Sequence, residues 1–359
     1  MRFIGNKKNL LDKIYNTLQN EKIQGSSFFD LFSGSVSVAR YFKSNNFQVH
    51  SSDIMYFSYV MQKAYIENNS EQRFEKLLDH IEIVKDKLFT NPLELVVSYL
   101  NKIDGVNGFI YKNYTPEGSS DLAVPRMYFN KNNGKKIDAI RKQIQKWYDN
   151  KIINEQEYFI LIACLIETVP FYANISGVYA AFHKKWDRRA TKPLILRAIP
   201  TYINNYKNSV YNENSINLLE KIEADIFYLD PPYNERQYAP NYHILETIAK
   251  YDSPKIKGVT GLRNYDNQKS KFCNAKTAIT ELEKVAANGK YKSLVMSYNS
   301  EGIMPQKEII DILSQYGKVK LIEFDYLRFK SNNNGTSKHK KYIKEQLYIL
   351  KKWKIISGF

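Results

Sequence analysis

Apolar and polar positions fall into distinct textures along the 359-residue chain. Residues 1 to about 60 alternate short apolar runs with Gly and Ser turns, the pattern of a βαβ unit. Residues 28–32 read as a strand, Ser33-Gly34-Ser35 as a turn and 36–44 as a helix. A second strand over 47–50 ends at Ser51-Ser52-Asp53. Between 61 and 165 the spacing turns helical, with many Lys and Glu and two Gly/Asn-rich breaks, at 105–108 and 130–134. The apolar run 159–166 falls well short of the roughly 20 residues that cross a bilayer, and reads as a buried helix turn or strand. From about 205 the α/β texture returns. Residues 224–229 form the nearly continuous apolar run of a strand buried on both faces. Further strands are expected over 293–297, 318–324 and 345–351, and a helix over 305–316 with Pro near its start and Gly317 after its end. The predicted fold is α/β: a doubly wound sheet formed by 1–60 plus 166–359, interrupted by a mostly helical insert over 61–165.

Charge adds a partner to this picture. Lys and Arg number 53 against 37 Asp and Glu, a net charge of +16 that attracts a polyanion, with nucleic acid the leading candidate. Many of the 28 tyrosines stand close to Lys or Asn, which suits base stacking beside phosphate contacts. An AT-rich genome would produce the same Lys, Asn, Ile and Tyr excess. Cys164 and Cys273 have no metal-ligand spacing, so no metal site is expected and a reducing cytoplasm is. The N-terminus lacks the apolar stretch of a secretory signal, and no membrane partner is predicted.

Two constellations carry candidate chemistry. In the first, residues 28–37, a strand, a Gly/Ser turn and a helix let backbone approach a nucleotide-like ligand. Asp53 ends the next strand, at about the 20-residue spacing that places an acid on a ribose diol. The dinucleotide fingerprint's third glycine is absent, which argues against NAD. The second, Asp230-Pro231-Pro232-Tyr233, directly follows the strand over 224–229. Its prolines stiffen the backbone and remove two N–H donors, leaving the Asp230 carboxylate and Pro231 carbonyl as acceptors. An exocyclic base amine is a weak nucleophile because its lone pair is delocalised into the ring. Two acceptors holding its protons favour pyramidalisation and free that lone pair to attack an electrophilic methyl group. Tyr233 can stack on a base flipped out of the duplex. The bland alternative is a proline turn with a capping Asp.

On these residues the sequence resembles the DNA adenine-N6 methyltransferases, the class of bacterial and phage adenine methylases and restriction-modification methylases. Asp230 to Tyr233 match that family's catalytic motif in full, and the segment Asp30-Leu31-Phe32-Ser33-Gly34-Ser35 resembles its Phe-x-Gly motif. Arg2-Phe3-Ile4-Gly5-Asn6-Lys7 resembles its N-terminal cofactor motif. Further segments, at 173–177 through Trp186, at 240–246 and at 297–302, resemble the restriction-modification branch. The resemblance implies a Rossmann-like methyltransferase sheet, S-adenosylmethionine as cofactor and adenine N6 of double-stranded DNA as substrate. It implies cofactor contacts at Phe3, Lys7, Phe32, Gly34, Asp53, Asn214 and Asp230, with Asp230, Pro231, Pro232 and Tyr233 catalytic. It also implies a modification role, with a possible cognate restriction endonuclease acting on the same site. Val36 stands where a third glycine is common, and Asn214 where many relatives carry Asp.

Other residues are open to two readings. His243 is a general base or, preferably, a structural or DNA-contact residue, and Glu246 begins a helix face packing behind the site. Lys184, Lys185, Arg188, Arg189 and Arg197 lie on phosphate or form a solvated surface. The loop 255–271 closes over DNA or is mobile, and 326–330 carries the same ambiguity. The helical insert is expected to contribute DNA target recognition. Cytosine-N4 methylation, an RNA or protein-amide substrate, and a non-catalytic DNA-binding protein on the same fold are the alternatives. Recognised DNA sequence and oligomeric state are not legible.

Overall fold

The computed structural model describes residues 5–81, 91–327 and 342–353. Within these described residues there are two compact units, one from 5–6, 55–203 and 239–266, the other from 7–54, 204–238 and 267–353. The helical unit is thus larger than the expected 61–165 insert and includes a second, later segment.

The sheet unit is built on β1 (Ser27–Asp30), β2 (Gln48–Ser52), β3 (Ser209–Tyr211) and β4 (Glu223–Leu229). After a two-stranded hairpin in the other unit, β5 (Ile256–Lys257) and β6 (Leu262–Arg263), come β7 (Lys290–Asn299), β8 (Gly317–Leu327) and β9 (Tyr342–Lys352). Seven strands pair in the order β3-β2-β1-β4-β7-β9-β8. All are parallel from β3 to β7, while β9 runs antiparallel to both β7 and β8. Helices cover both faces, as a doubly wound sheet requires. On one face Phe28 stacks on Phe42 of the helix Ser37–Ser44, ring centroids 3.8 Å apart. On the other, Phe29, Phe227, Leu294 and Leu350 pack with Leu282 and Val285 of the helix Ala275–Asn288 and Ile309 of Gln306–Ser314. Gly317 begins β8 rather than capping that last helix.

Within the helical unit the stretch 159–166 takes the buried-helix alternative rather than the strand. It lies inside the helix Glu155–Thr168, opened by a reciprocal capping box between Asn154 and Glu157, with nearly every later side chain buried. The expected break at 130–134 is a helix start. Asn130 caps the helix Lys131–Asp149 by accepting from the Asn133 N–H at 2.9 Å. Gly134 then sits inside that helix, where an added Cβ would lie 2.3 Å from Thr115 Cγ2. The glycine serves close packing there rather than a turn.

Candidate active site at the carboxyl edge of the sheet

Strand order reverses between β1 and β4, the switch point where open α/β sheets bind ligands beyond their carboxyl ends. Asp30 ends β1 in register with Tyr228, and the Leu31 N–H donates to the Tyr228 carbonyl at 3.0 Å. Asp230 follows the last residue of β4, so the parallel pairing places both acids at one edge. Because β9 is antiparallel, its beginning lies at the same edge: Glu345 pairs with Asn299 near the end of β7.

Three charged side chains meet there. Lys7, in the 3₁₀ turn Lys7–Leu10, places its ammonium 3.3 Å from Asp230 Oδ1 and in direct contact with Glu345 Oε1. The Ser297 hydroxyl donates to the same Glu345 oxygen at 2.7 Å. Lys7 and Glu345 are buried, whereas 23% of the Asp230 side chain remains accessible. Burial alone would lower the Lys7 pKa; the two carboxylates outweigh it and hold the ammonium above the ordinary lysine range. Burial pushes the Asp230 carboxyl up to about 7; Lys7 opposes that rise and Glu345 adds to it. Asp30, almost fully enclosed, is raised to about 8, mainly by burial, with Asp230 and Asp53 contributing. Pro231 and Pro232 are buried and Tyr233 half-buried, its carbonyl accepting from the Ile303 N–H at 3.0 Å.

The turn after β1 carries the second group. Gly34 adopts φ +46°, and its N–H donates to Asp53 Oδ2 at 2.7 Å, joining the ends of β1 and β2. Val36 also has positive φ, +62°, immediately before its helix. Phe32 stands edge-on to Phe272 at 5.2 Å. The Asn214 side chain caps the turn Ser215–Leu218, accepting from the Ile216 N–H at 3.2 Å. Lys7, Phe32, Gly34, Asp53, Asn214 and Asp230 to Tyr233 therefore all belong to the sheet unit. Phe3 lies outside the described residues. Glu345, absent from the sequence expectations, is the addition: nothing in its local sequence distinguishes it from other strand glutamates.

Residues 3–312 match the family model of the D12 class N6 adenine-specific DNA methyltransferases. The chain belongs to this family. Type II methyltransferase M.FokI of Planomicrobium okeanokoites is 41% identical over 337 residues, covering 93% of this chain and 50% of that protein. Modification methylase StsI of Streptococcus sanguinis is 36% identical over 360 positions, covering 98% and 52%. Type II methyltransferase M.NlaIII of Neisseria lactamica is 35% identical over 357, covering 98% and 99%. The chain spans about half the length of M.FokI and StsI, and nearly all of M.NlaIII.

The remaining candidates of this adenine-methyltransferase family member fall in the helical unit, where most act structurally. His243 is buried, in keeping with the structural alternative and against a DNA contact. Its Nε2–H donates to the Tyr179 carbonyl at 3.0 Å, and burial lowers its pKa to about 4, so it is neutral. Glu246, fully buried, accepts from the N–H groups of Tyr56 and Phe57 at 3.1 and 2.9 Å, capping the helix Tyr56–Gln62. Asn174, in a segment matching the restriction-modification branch, ties its loop together: its side chain donates to the His183 carbonyl and accepts from the Asp187 N–H. In the basic cluster, Arg189 is held by Asp187 at 2.6 Å, while Lys184, Lys185, Arg188 and Arg197 are exposed. The loop 255–271 contains the β5–β6 hairpin, which Arg126 braces through the carbonyls of Gly258 and Val259. Arg328 to Lys330 lie outside the described residues. Both cysteines are free and buried. No helix among the described residues is long and apolar enough to cross a membrane.

Proposed function

We propose that the protein is a site-specific, S-adenosylmethionine-dependent methyltransferase acting on adenine N6 in duplex DNA. The observation that carries this reading is Asp230-Pro231-Pro232-Tyr233 at the switch point of the sheet, in a chain of this family. Asp230 and the Pro231 carbonyl accept hydrogen bonds from the two amine N–H groups, and Pro231 and Pro232 offer no competing N–H. The base reaches them by leaving the duplex, with Tyr233 as its stacking surface. The proton lost from the amine passes to solvent.

The turn after β1 fits the cofactor. Gly34 brings backbone close without a side chain, and Asp53, which already orders that turn, retains acceptor capacity for a ribose diol. Phe32 and Asn214 border the same edge, and Lys7 and Phe3 are assigned to the methionine end. S-adenosylmethionine supplies the electrophilic methyl when bound. The helical unit is assigned to target recognition, with Lys184, Lys185, Arg188 and Arg197 on phosphate. The relatives' names, Type II methyltransferase and modification methylase, support a modification role; a cytoplasmic location and a cognate restriction endonuclease as partner belong to the same proposal.

The test is to incubate the protein with labelled cofactor and unmethylated duplex DNA, then digest to nucleosides. Label in N6-methyladenine is expected. Label in N4-methylcytosine, or none in DNA despite cofactor binding, would sink the assignment.

A further inference from the structure

We propose that Glu345 is a positioning residue for methyl transfer: it clamps Lys7 against Asp230 and so sets the carboxylate that receives the target amine. This rests on the reading of Asp230 given above. Glu345 lies beyond the residues 3–312 that the family model matches, and 338 residues from Lys7. Only the antiparallel insertion of β9 between β7 and β8 brings it to the carboxyl edge.

A lysine side chain has many rotamers, so an unheld Lys7 would sample many positions. Here it is buried and bridged, with Asp230 Oδ1 at 3.3 Å on one side and Glu345 on the other. Glu345 is itself fixed, by the Ser297 hydroxyl at 2.7 Å and by strand pairing on both sides, with Asn299 and with Phe324. Burying a carboxylate is costly, and a buried ion pair is seldom better for stability than apolar residues of the same volume. Glu345 is therefore poorly explained as a stabilising residue. Its direct partner besides Ser297 is Lys7, whose other partner is the catalytic acid.

Among the described residues, the charged and titratable groups facing Asp230 are Lys7 from the N-terminal turn, Glu345 from β9, Asp30 from β1 and the Tyr228 hydroxyl from its own strand. Glu345 disfavours ionised Asp230 through its charge and favours it by holding Lys7 in place. Two substitutions separate these effects. Glu345→Gln keeps an acceptor for Lys7 and Ser297 but removes the charge. Glu345→Ala also releases Lys7.

Single-turnover methylation of duplex DNA as a function of pH, with the Asp230 carboxyl ¹³C resonance in ligand-free protein, tests the proposal. In Glu345→Gln the acid limb and the resonance titration both move down by about one pH unit. In Glu345→Ala the maximal rate falls about tenfold while KM for DNA stays within about twofold, since positioning is lost and binding is not. An unmoved limb and resonance in Glu345→Gln, or an unchanged maximal rate in folded Glu345→Ala, would overturn the proposal. If Glu345→Ala does not fold, Glu345→Gln decides; failure of both to fold makes the residue structural and overturns it equally. A wild-type chain that folds but methylates no DNA would defeat the functional reading instead, and the resonance would still report whether Glu345 acts on Asp230.

Discussion

Buried charge is handled in opposite ways in the two units. In the helical unit it is saturated with hydrogen bonds. Asp138 accepts from the N–H groups of Gly108, Ile110 and Tyr111 and from the Tyr251 hydroxyl, at 2.6 to 3.1 Å. Arg141 donates to the Ile248 and Ala249 carbonyls, the Tyr158 hydroxyl and Gln145. At the sheet edge, Asp230 meets Lys7 at 3.3 Å and keeps part of its carboxylate accessible. A saturated acid holds a fold together; an acid balanced by one charge has acceptor capacity left for a substrate. Burial by itself does not distinguish the two, but the number and kind of partners does.

The contrast can be broken most directly at Asp230. Asp230→Ala is expected to lower the methylation rate by about a thousandfold or more, while DNA affinity by fluorescence anisotropy changes little. Activity within a few-fold of wild type would remove Asp230 from the chemistry.

Asp138→Ala should do the reverse. It strands three N–H groups and a hydroxyl in the interior, so a loss of about 3 kcal/mol or more is expected in a urea melt. The rate per folded molecule should be preserved, and a loss confined to rate would make Asp138 functional rather than structural.

A smaller effect separates the units by pH. With the Asp230 pKa raised to about 7, its ionised form is lost as pH falls through that value, so kcat/KM should decline up to tenfold per unit below about 7. Thermal stability should not fall with it, because Asp230 and Asp30, raised in the folded state, take up their protons there before the unfolded chain does; a parallel fall in melting temperature would assign the limb to unfolding.

The smallest effect concerns His243, whose folded pKa of about 4 lies below the ordinary 6.5. The stability it contributes is present above about 6.5 and is lost as pH falls towards 4, because the unfolded chain binds the proton first. His243→Phe should flatten the melting temperature over that window, shifting it by a few degrees. An unchanged slope would mean that other groups set the acid sensitivity.

Much of this architecture was legible in the chain. The apolar run 224–229 announced β4, and a Gly/Ser turn after another apolar run announced the β1 edge. Both readings are local: a strand buried on two faces must be apolar throughout, and a tight turn needs small residues. The three-residue β3 was not anticipated, since so short an edge strand carries no periodicity. The misplaced break at 130–134 has a different cause. Asn and Gly signal both turns and helix starts, and only the Thr115 methyl against Gly134 decides which.

The sequence by itself determined the sheet class, the Asp-Pro-Pro-Tyr tetrapeptide and its place after a buried strand. These depend on residue type and on spacing within a few residues. Tertiary structure alone decided which charges share the edge. Lys7, Asp230 and Glu345 come from the beginning, middle and end of the chain, and no local rule links them. Strand order and the antiparallel run of β9 bring them together, and burial, together with the weakly screened interaction of the charges, then sets their protonation. The same holds in the helical unit, where the sequence left His243 open between several roles and only packing showed it enclosed with a backbone partner.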